Sequence, residues 1–136
     1  MLNLTTAIYG RLAGSALSAR IADRLYKGQA PAGATYPYAV FLVVTDTPDH
    51  DFSNDFEDVI VQFSLFSITS GTTEIENMFT DLKTLYDEVP FSVTGSTLIW
   101  MRRGTTVFQV EDHITPTGTQ RVWAYHVDFE VLTSLD

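Results

Sequence analysis

Hydrophobic and polar positions along the chain change period several times, and each change marks an element. Near the N-terminus Leu4, Ile8 and Leu12 recur on one helical face, with Asn3 as N-cap and Gly14 as stop. A shorter helical stretch follows over Ser15–Arg24, with Leu17 and Ile21 facing inward. Lys27 to Pro37 is rich in Gly, Pro and Ala and is predicted to be a loop. Tyr38 to Val44, "YAVFLVV", is aromatic and β-branched, which predicts a buried strand. "VIVQFSLFSIT" reads as its antiparallel partner. Val59, Val61, Phe63 and Leu65 share one side of it, and Ile60, Gln62, Ser64 and Phe66 share the other. Both sides carry apolar residues, so the second side is also expected to be covered, by helices or by another subunit.

The clearest element spans about 72–88. Ile75, Met78, Phe79, Leu82, Leu85 and Tyr86 follow helical spacing, Thr73 and Glu76 have capping-box spacing, and Pro90 ends the pattern. Met78 belongs to the apolar side of this helix and not to a cofactor box. "STLIWMRR", "TTVFQVED" and "TQRVWAYHVDFEVLTS" are three strand candidates. In the last, Trp123, Tyr125, Val127, Phe129 and Val131 alternate with Val122, Ala124, His126, Asp128 and Glu130. The predicted order is α–β–β–α–β–β–β. This is a single α+β domain over 1–136, with a largely antiparallel sheet and helices packed on one face.

Length and composition fit that picture. A chain of 136 residues is one domain's worth, and 45% hydrophobic against 18% charged residues suits a folded protein. No apolar run approaches the roughly 20 residues of a membrane helix, so no membrane partner is expected. The start "MLNLTTAIYG" lacks the basic region of a signal peptide, so export is not expected. With no cysteine, disulfides, thiolate nucleophiles and Cys-ligated zinc are excluded.

The charge of −9 changes the functional picture. Eight Lys and Arg face seventeen Asp and Glu, and the longest basic run is Arg102-Arg103. Gripping nucleic acid needs a basic surface, so tight DNA binding is not expected. Between the first two predicted strands lies an acidic connection holding Asp46, Asp49, Asp51, Asp55, Glu57 and Asp58. Asp49, Asp51, Ser53 and Asp55 match early ligand places of a calcium loop. Position 6, however, is Asn54 instead of Gly, and position 12 is Ile60 instead of Glu. No metal site is therefore assigned. His50, His113 and His126 fall in a predicted loop, turn and strand without the i,i+4 pairing of metal ligands. Nucleophile elbows, phosphate loops and dinucleotide fingerprints are absent, so no catalytic residue and no cofactor are assigned. One alternative is a ligand site along His126, Asp128 and Glu130, which share one strand face.

The succession of segments from Ala19 to Val131 carries a resemblance. Leu25-Tyr26, Ala30-Pro31 and Pro37-Tyr38 lead into the first strand, and Val59, Val61, Phe63, Phe66 and Ser67 lie on the next. A long helix follows, and Val127 to Val131 reads "VDFEV". In order and spacing the chain resembles the tail-completion, or tail-terminator, proteins of long-tailed bacteriophages and related tailed particles, including gene transfer agents. The resemblance implies a structural virion protein without a catalytic step, assembled in the host cytoplasm and located in the neck region of the tail. It implies a hexameric ring on the head-proximal end of the tail tube. That ring stops addition of the tail tube protein and meets a neck or head-tail connector protein, and DNA passes through it without specific binding. Another neck component is the alternative within the same particle.

Under that resemblance, six copies at −9 would carry about −54 formal charges. The acidic residues would line the lumen or the docking rim, or would lie on the ring exterior; the sequence leaves both open. Arg102, Arg103 and Trp100 are candidate inter-subunit contacts, with pairing inside the sheet for the arginines and a core position for the tryptophan as the alternatives.

Overall fold

The computed structural model describes residues 2–50 and 55–135. Its elements are α1 (Leu2–Leu12), α2 (Ala16–Ile21), β1 (Leu25–Lys27), β2 (Tyr38–His50), β3 (Asp55–Ser67), α3 (Thr73–Tyr86), β4 (Ser96–Thr115) and β5 (Gly118–Leu135). The strands form a five-stranded sheet in the order β1-β2-β3-β5-β4. Only the β1–β2 contact is parallel. The α+β class and the mainly antiparallel sheet agree with the pattern of the sequence.

The period-two pattern places the core. Phe41, Val59, Val61, Phe63, Leu65, Val127, Phe129 and Val131 point to one side of the sheet and are fully buried. They meet Ile75, Met78, Leu82 and Tyr86 of α3, Leu4, Ile8 and Leu12 of α1, and Leu17 and Ile21 of α2 in one cluster. The three helices therefore cover one face. Their mutual packing is fixed by polar bonds across the layer. Tyr86 Oη donates to the Ile8 carbonyl at 2.6 Å, Arg11 Nε donates to the Leu85 carbonyl at 2.7 Å, and Arg20 pairs with Asp81 at 2.7 Å. Tyr86 also sits in an aromatic group, 5.0 Å from the Phe63 ring and 6.3 Å from Phe129.

Several boundaries differ from the sequence expectation. Helix α1 begins at Leu2, so Asn3 lies inside it and does not cap it. Ser15 caps α2, its hydroxyl accepting from the Ser18 amide at 3.1 Å. Thr72 occupies the N-cap of α3, one residue before the expected Thr73, and bonds Glu76 side chain to side chain at 3.3 Å without capping a backbone amide. Residues 25–27 form a strand, where Lys27 was assigned to a loop. The two strand candidates around Gly104 are one 20-residue strand, because the Gly104-Thr105 break is a bulge between Arg103 and Thr106 and the ladder resumes. His113 belongs to this strand opposite Gln120, and His50 ends β2, so neither lies in a turn or loop.

Candidate functional site

Among the described residues, no helix covers the second face of the sheet. Gln62, Ser64, Phe66, His126, Asp128 and Glu130 there are all partly exposed. Several polar residues on it are paired in cross-strand steps. Ser64 Oγ lies 2.8 Å from His126 Nδ1, and His126 Nε2 lies 3.0 Å from Gln109 Oε1. Gln62 Nε2 donates to Asp128 Oδ1 at 3.0 Å, and Arg102 meets Glu130 at 3.3 Å. His126, Asp128 and Glu130 thus each have a partner on a neighbouring strand. Two grooves stand out in the described structure. One, of about 620 Å³, lies between Thr69–Gly71 and Thr117–Arg121; the other, of about 260 Å³, lies between Glu88–Pro90 and Leu98–Met101. Neither is lined by His126, Asp128 or Glu130.

The acidic stretch is a ladder and not a loop. Asp46 opposes Val59, Asp58 opposes Thr47, Glu57 opposes Pro48, Asp49 opposes Phe56, and Asp55 opposes His50. Asp51 lies outside the described residues. Strand alternation divides the carboxylates, with Asp49 and Asp58 on the helix-free face and Asp46, Asp55 and Glu57 on the other. A bulge at Val44 precedes them. Asp46, Asp49 and Asp55 are exposed. Asp58 is different: its Oδ1 is shielded from solvent and has no hydrogen-bond partner. Burial raises its pKa first, then the charges of Glu130 and Asp49, while Arg102 opposes them. Among the described residues no group of three His, Asp or Glu side chains could hold a metal ion.

The two adjacent arginines point to opposite faces. Arg102 lies on the helix-free face, 4.4 Å above the Trp100 ring and bonded to Glu130. Arg103 lies on the helix face, 5.7 Å above the Phe79 ring, bonded to Thr106 at 3.1 Å and 3.9 Å from Asp87. Both pair within their own chain, the alternative the sequence left open. Trp100 is only partly buried, and its indole Nε1 is shielded and unpartnered. Residues 87 and 88 cover the outer edge of β4 here. The Glu88 amide donates to the Met101 carbonyl at 2.8 Å, and the Arg103 amide donates to Asp87 Oδ1 at 3.0 Å.

Two features escaped the sequence reading. On the helix-free face, Tyr26, Tyr36, Tyr38 and Phe66 form a patch with ring centroids 5.0–6.0 Å apart. Burial first, then neighbouring Tyr36, pushes the Tyr38 hydroxyl up to about 12. The even spacing of Tyr26, Tyr36 and Tyr38 was the available signal, but it became visible only once β1 was known to pair with β2. The second feature is an arm. β3 ends at Ser67 opposite Trp123, while β4 and β5 continue as a hairpin to Thr115 and Gly118. Its root is held by ring contacts, Phe79 stacked on Tyr125 at 4.6 Å and Phe108 tilted against Tyr125 at 5.0 Å. Trp123 Nε1 also donates to the Thr69 carbonyl at 3.1 Å. Val107, Phe108, Val110 and Ile114 remain exposed along it. The arm extends past one end of the sheet, and the acidic ladder lies at the other.

No helix among the described residues is long and apolar enough to cross a membrane. No curated protein matches the chain significantly. Among solved structures, a chain from the "virion of native gene transfer agent (GTA) particle" superposes with a TM-score of 0.68 at 12% identity, over 96% of this chain and 94% of that one. A second solved chain reaches a TM-score of 0.55 at 15% identity, over 95% and 93%. At these identities the likeness concerns the fold. Residues 6–133 match the family model described as "Tail completion protein gp17". With nearly the whole chain matched, it belongs to the tail completion protein gp17 family, whose members are structural proteins of the virion tail.

Proposed function

We propose that this chain forms a hexameric ring, one domain per subunit, on the head-proximal end of a tail tube. The ring halts addition of tube protein, joins the tail to a neck or connector protein and leaves a channel for DNA. The family match over residues 6–133 carries this reading. Its fold likeness to a chain of a gene transfer agent virion supports it, as does the pairing of His126, Asp128 and Glu130 on the helix-free face with neighbouring strands. The role is structural, and no side chain is assigned a catalytic step.

The acidic ladder is placed at the lumen or the tube-docking rim. Its exposed carboxylates Asp46, Asp49 and Asp55 offer DNA phosphates no counter-charge, so a passing duplex would not be held. Asparagine at Asp49, Asp51 and Asp55 together is expected to slow DNA ejection or impair joining while leaving the fold intact. Unchanged infectivity of that variant would move these residues to the ring exterior.

The ring itself is tested by light scattering and negative-stain imaging of the purified chain, and by tube lengths when tube protein assembles with and without it. Six-fold rings and shortened tubes are expected. Rings that leave tube length unchanged would identify another neck component. A chain that forms no ring and leaves the tubes unaltered would overturn the reading.

A further inference from the structure

We infer that neighbouring copies join through the arm: the free edge of β4 beyond Gly104 adds as an antiparallel strand to the outer edge of β1 in the next copy. The inference rests on the ring reading above and specifies how such a ring closes. It begins with the two sheet margins. β4 and β1 are the terminal strands of the sheet; on β1 the Leu25 amide is taken by the Asp23 carbonyl at 2.9 Å, so a strand added there bonds through Lys27 and the Leu25 carbonyl. Along β4, Asp87 and Glu88 occupy the outer backbone groups of Arg103 and Met101, so those positions are closed to another strand. Past the bulge, β4 pairs with β5 alone. An exposed edge of this length, carrying Val107 at 51%, Phe108 at 44% and Val110 at 42% exposure, is the type of surface that recruits another strand.

Direction and register agree with this pairing. β1 runs parallel to β2, and each further step across the sheet is antiparallel, so β4 runs opposite to β1. Repeating the subunit by rotation about an axis along the strands therefore brings the two margins together antiparallel. Following the ladder across the sheet, Lys27 is level with Thr106, Tyr26 with Val107 and Leu25 with Phe108. Each pair also shares a face, so apolar Val107 meets the Tyr26 end of the aromatic patch on the helix-free side.

Charge is complementary as well. Between Thr105 and Thr115, β4 carries Glu111 and Asp112 and no Lys or Arg; Asp112 pairs with Arg121 of β5 at 3.0 Å, and Glu111 meets the His113 ring at 3.2 Å. Beside β1, among the described residues, Arg24 donates to the neutral carbonyls of Tyr36 and Pro37, and Lys27 to the Thr5 hydroxyl. At the inferred register Arg24 is one diagonal step from Glu111 on the same face, within reach of an arginine side chain. A heterologous contact of this kind, with two different patches of one chain, is what ring closure requires.

The native chain lacks cysteine, which gives a clean background for cross-linking. Lys27→Cys and Thr106→Cys in one chain, oxidised at high protein concentration, should give a ladder of covalent multimers on a non-reducing gel. Each single variant should give no more than dimers. Tyr26→Cys with Val107→Cys repeats the test one level along, should the first pair perturb folding. In the native chain, Glu111→Lys should weaken self-association several-fold at low salt and less at high salt, with unchanged circular dichroism. If light scattering shows multimers yet neither double variant exceeds its single variants, the arm–β1 contact is overturned and the ring stands. If the arm cysteine links only to added tube protein, the edge serves the tube and the inference also falls. A chain that stays monomeric without any ladder defeats the contact and the self-assembling ring together.

Discussion

Replacing Tyr86 by Phe tests whether the layer between α1 and α3 is held by one buried hydroxyl. The Tyr86 ring is fully buried against Phe63 and Phe129, and the substitution leaves that packing in place. What is lost is the 2.6 Å bond to the Ile8 carbonyl. That carbonyl lies within α1 and keeps its helical partner, so the loss is that of a neutral hydrogen bond, about 1 kcal/mol at pH 8. In a chain of this size that corresponds to a fall in Tm of about 3 °C. The same hydroxyl makes the difference depend on pH. Burial raises its pKa above the ordinary 10.0 of the unfolded chain, with Arg11 opposing. A raised folded pKa means its stabilising contribution is complete below the unfolded value and is lost as pH rises, because the unfolded state releases its proton first. Each pH unit above 10 costs the wild type about 1.4 kcal/mol at this group, and phenylalanine avoids that cost. Urea unfolding from pH 8 to 11.5 should show the variant less stable at pH 8 and level with the wild type within about one pH unit above 10. Parallel stability curves across that range would refute the assignment of a protonated, bonded hydroxyl.

Three further outcomes follow from the packing. Asp58→Asn should stabilise the protein at neutral pH: the raised pKa of Asp58 makes the wild type gain stability on acidification towards the ordinary carboxyl range, and denaturation against pH should show that gain vanish in the variant. Arg11→Met should cost about 1.5 kcal/mol in chemical denaturation, because the guanidinium bond to the Leu85 carbonyl at the end of α3 is lost while much of the stem is kept. Phe129→Ala should cost about 3–5 kcal/mol and sharply lower Tm, since its fully buried ring contacts both Phe63 and Tyr86.

The part of the fold legible in the sequence is the part governed by burial. Val59, Val61, Phe63 and Leu65 alternate inward as their spacing required, and Ile75, Met78, Leu82 and Tyr86 form the inward stripe of α3. Where burial does not decide, propensity misled. Asp46, Pro48, Asp49 and Asp55 are poor strand formers, yet the β2–β3 ladder runs through them because β3 stays paired to β5 as far as Phe56–Ser134. Gly104 read as a break, but in a bulge the extra residues only bend the strand. β1 was missed because three residues between a left-handed Asp23 and Gly28 give no periodicity of their own, and its pairing is visible only in the tertiary fold. Arg102 and Arg103 stand out as the adjacent basic pair of an acidic chain, but adjacency in a strand separates them onto two faces, so they cannot act as one basic patch.

The carboxylate of Asp87 sets a limit that β4 does not set for itself. By holding the Arg103 amide just past the end of α3, beside the Glu88 amide on the Met101 carbonyl, it closes the outer side of a 20-residue margin at that point. Under the arm contact inferred above, the turn that ends a helix sets how far an incoming chain could zip along this margin, and loosening residues 87 and 88 together would lengthen that border without altering one residue of the strand.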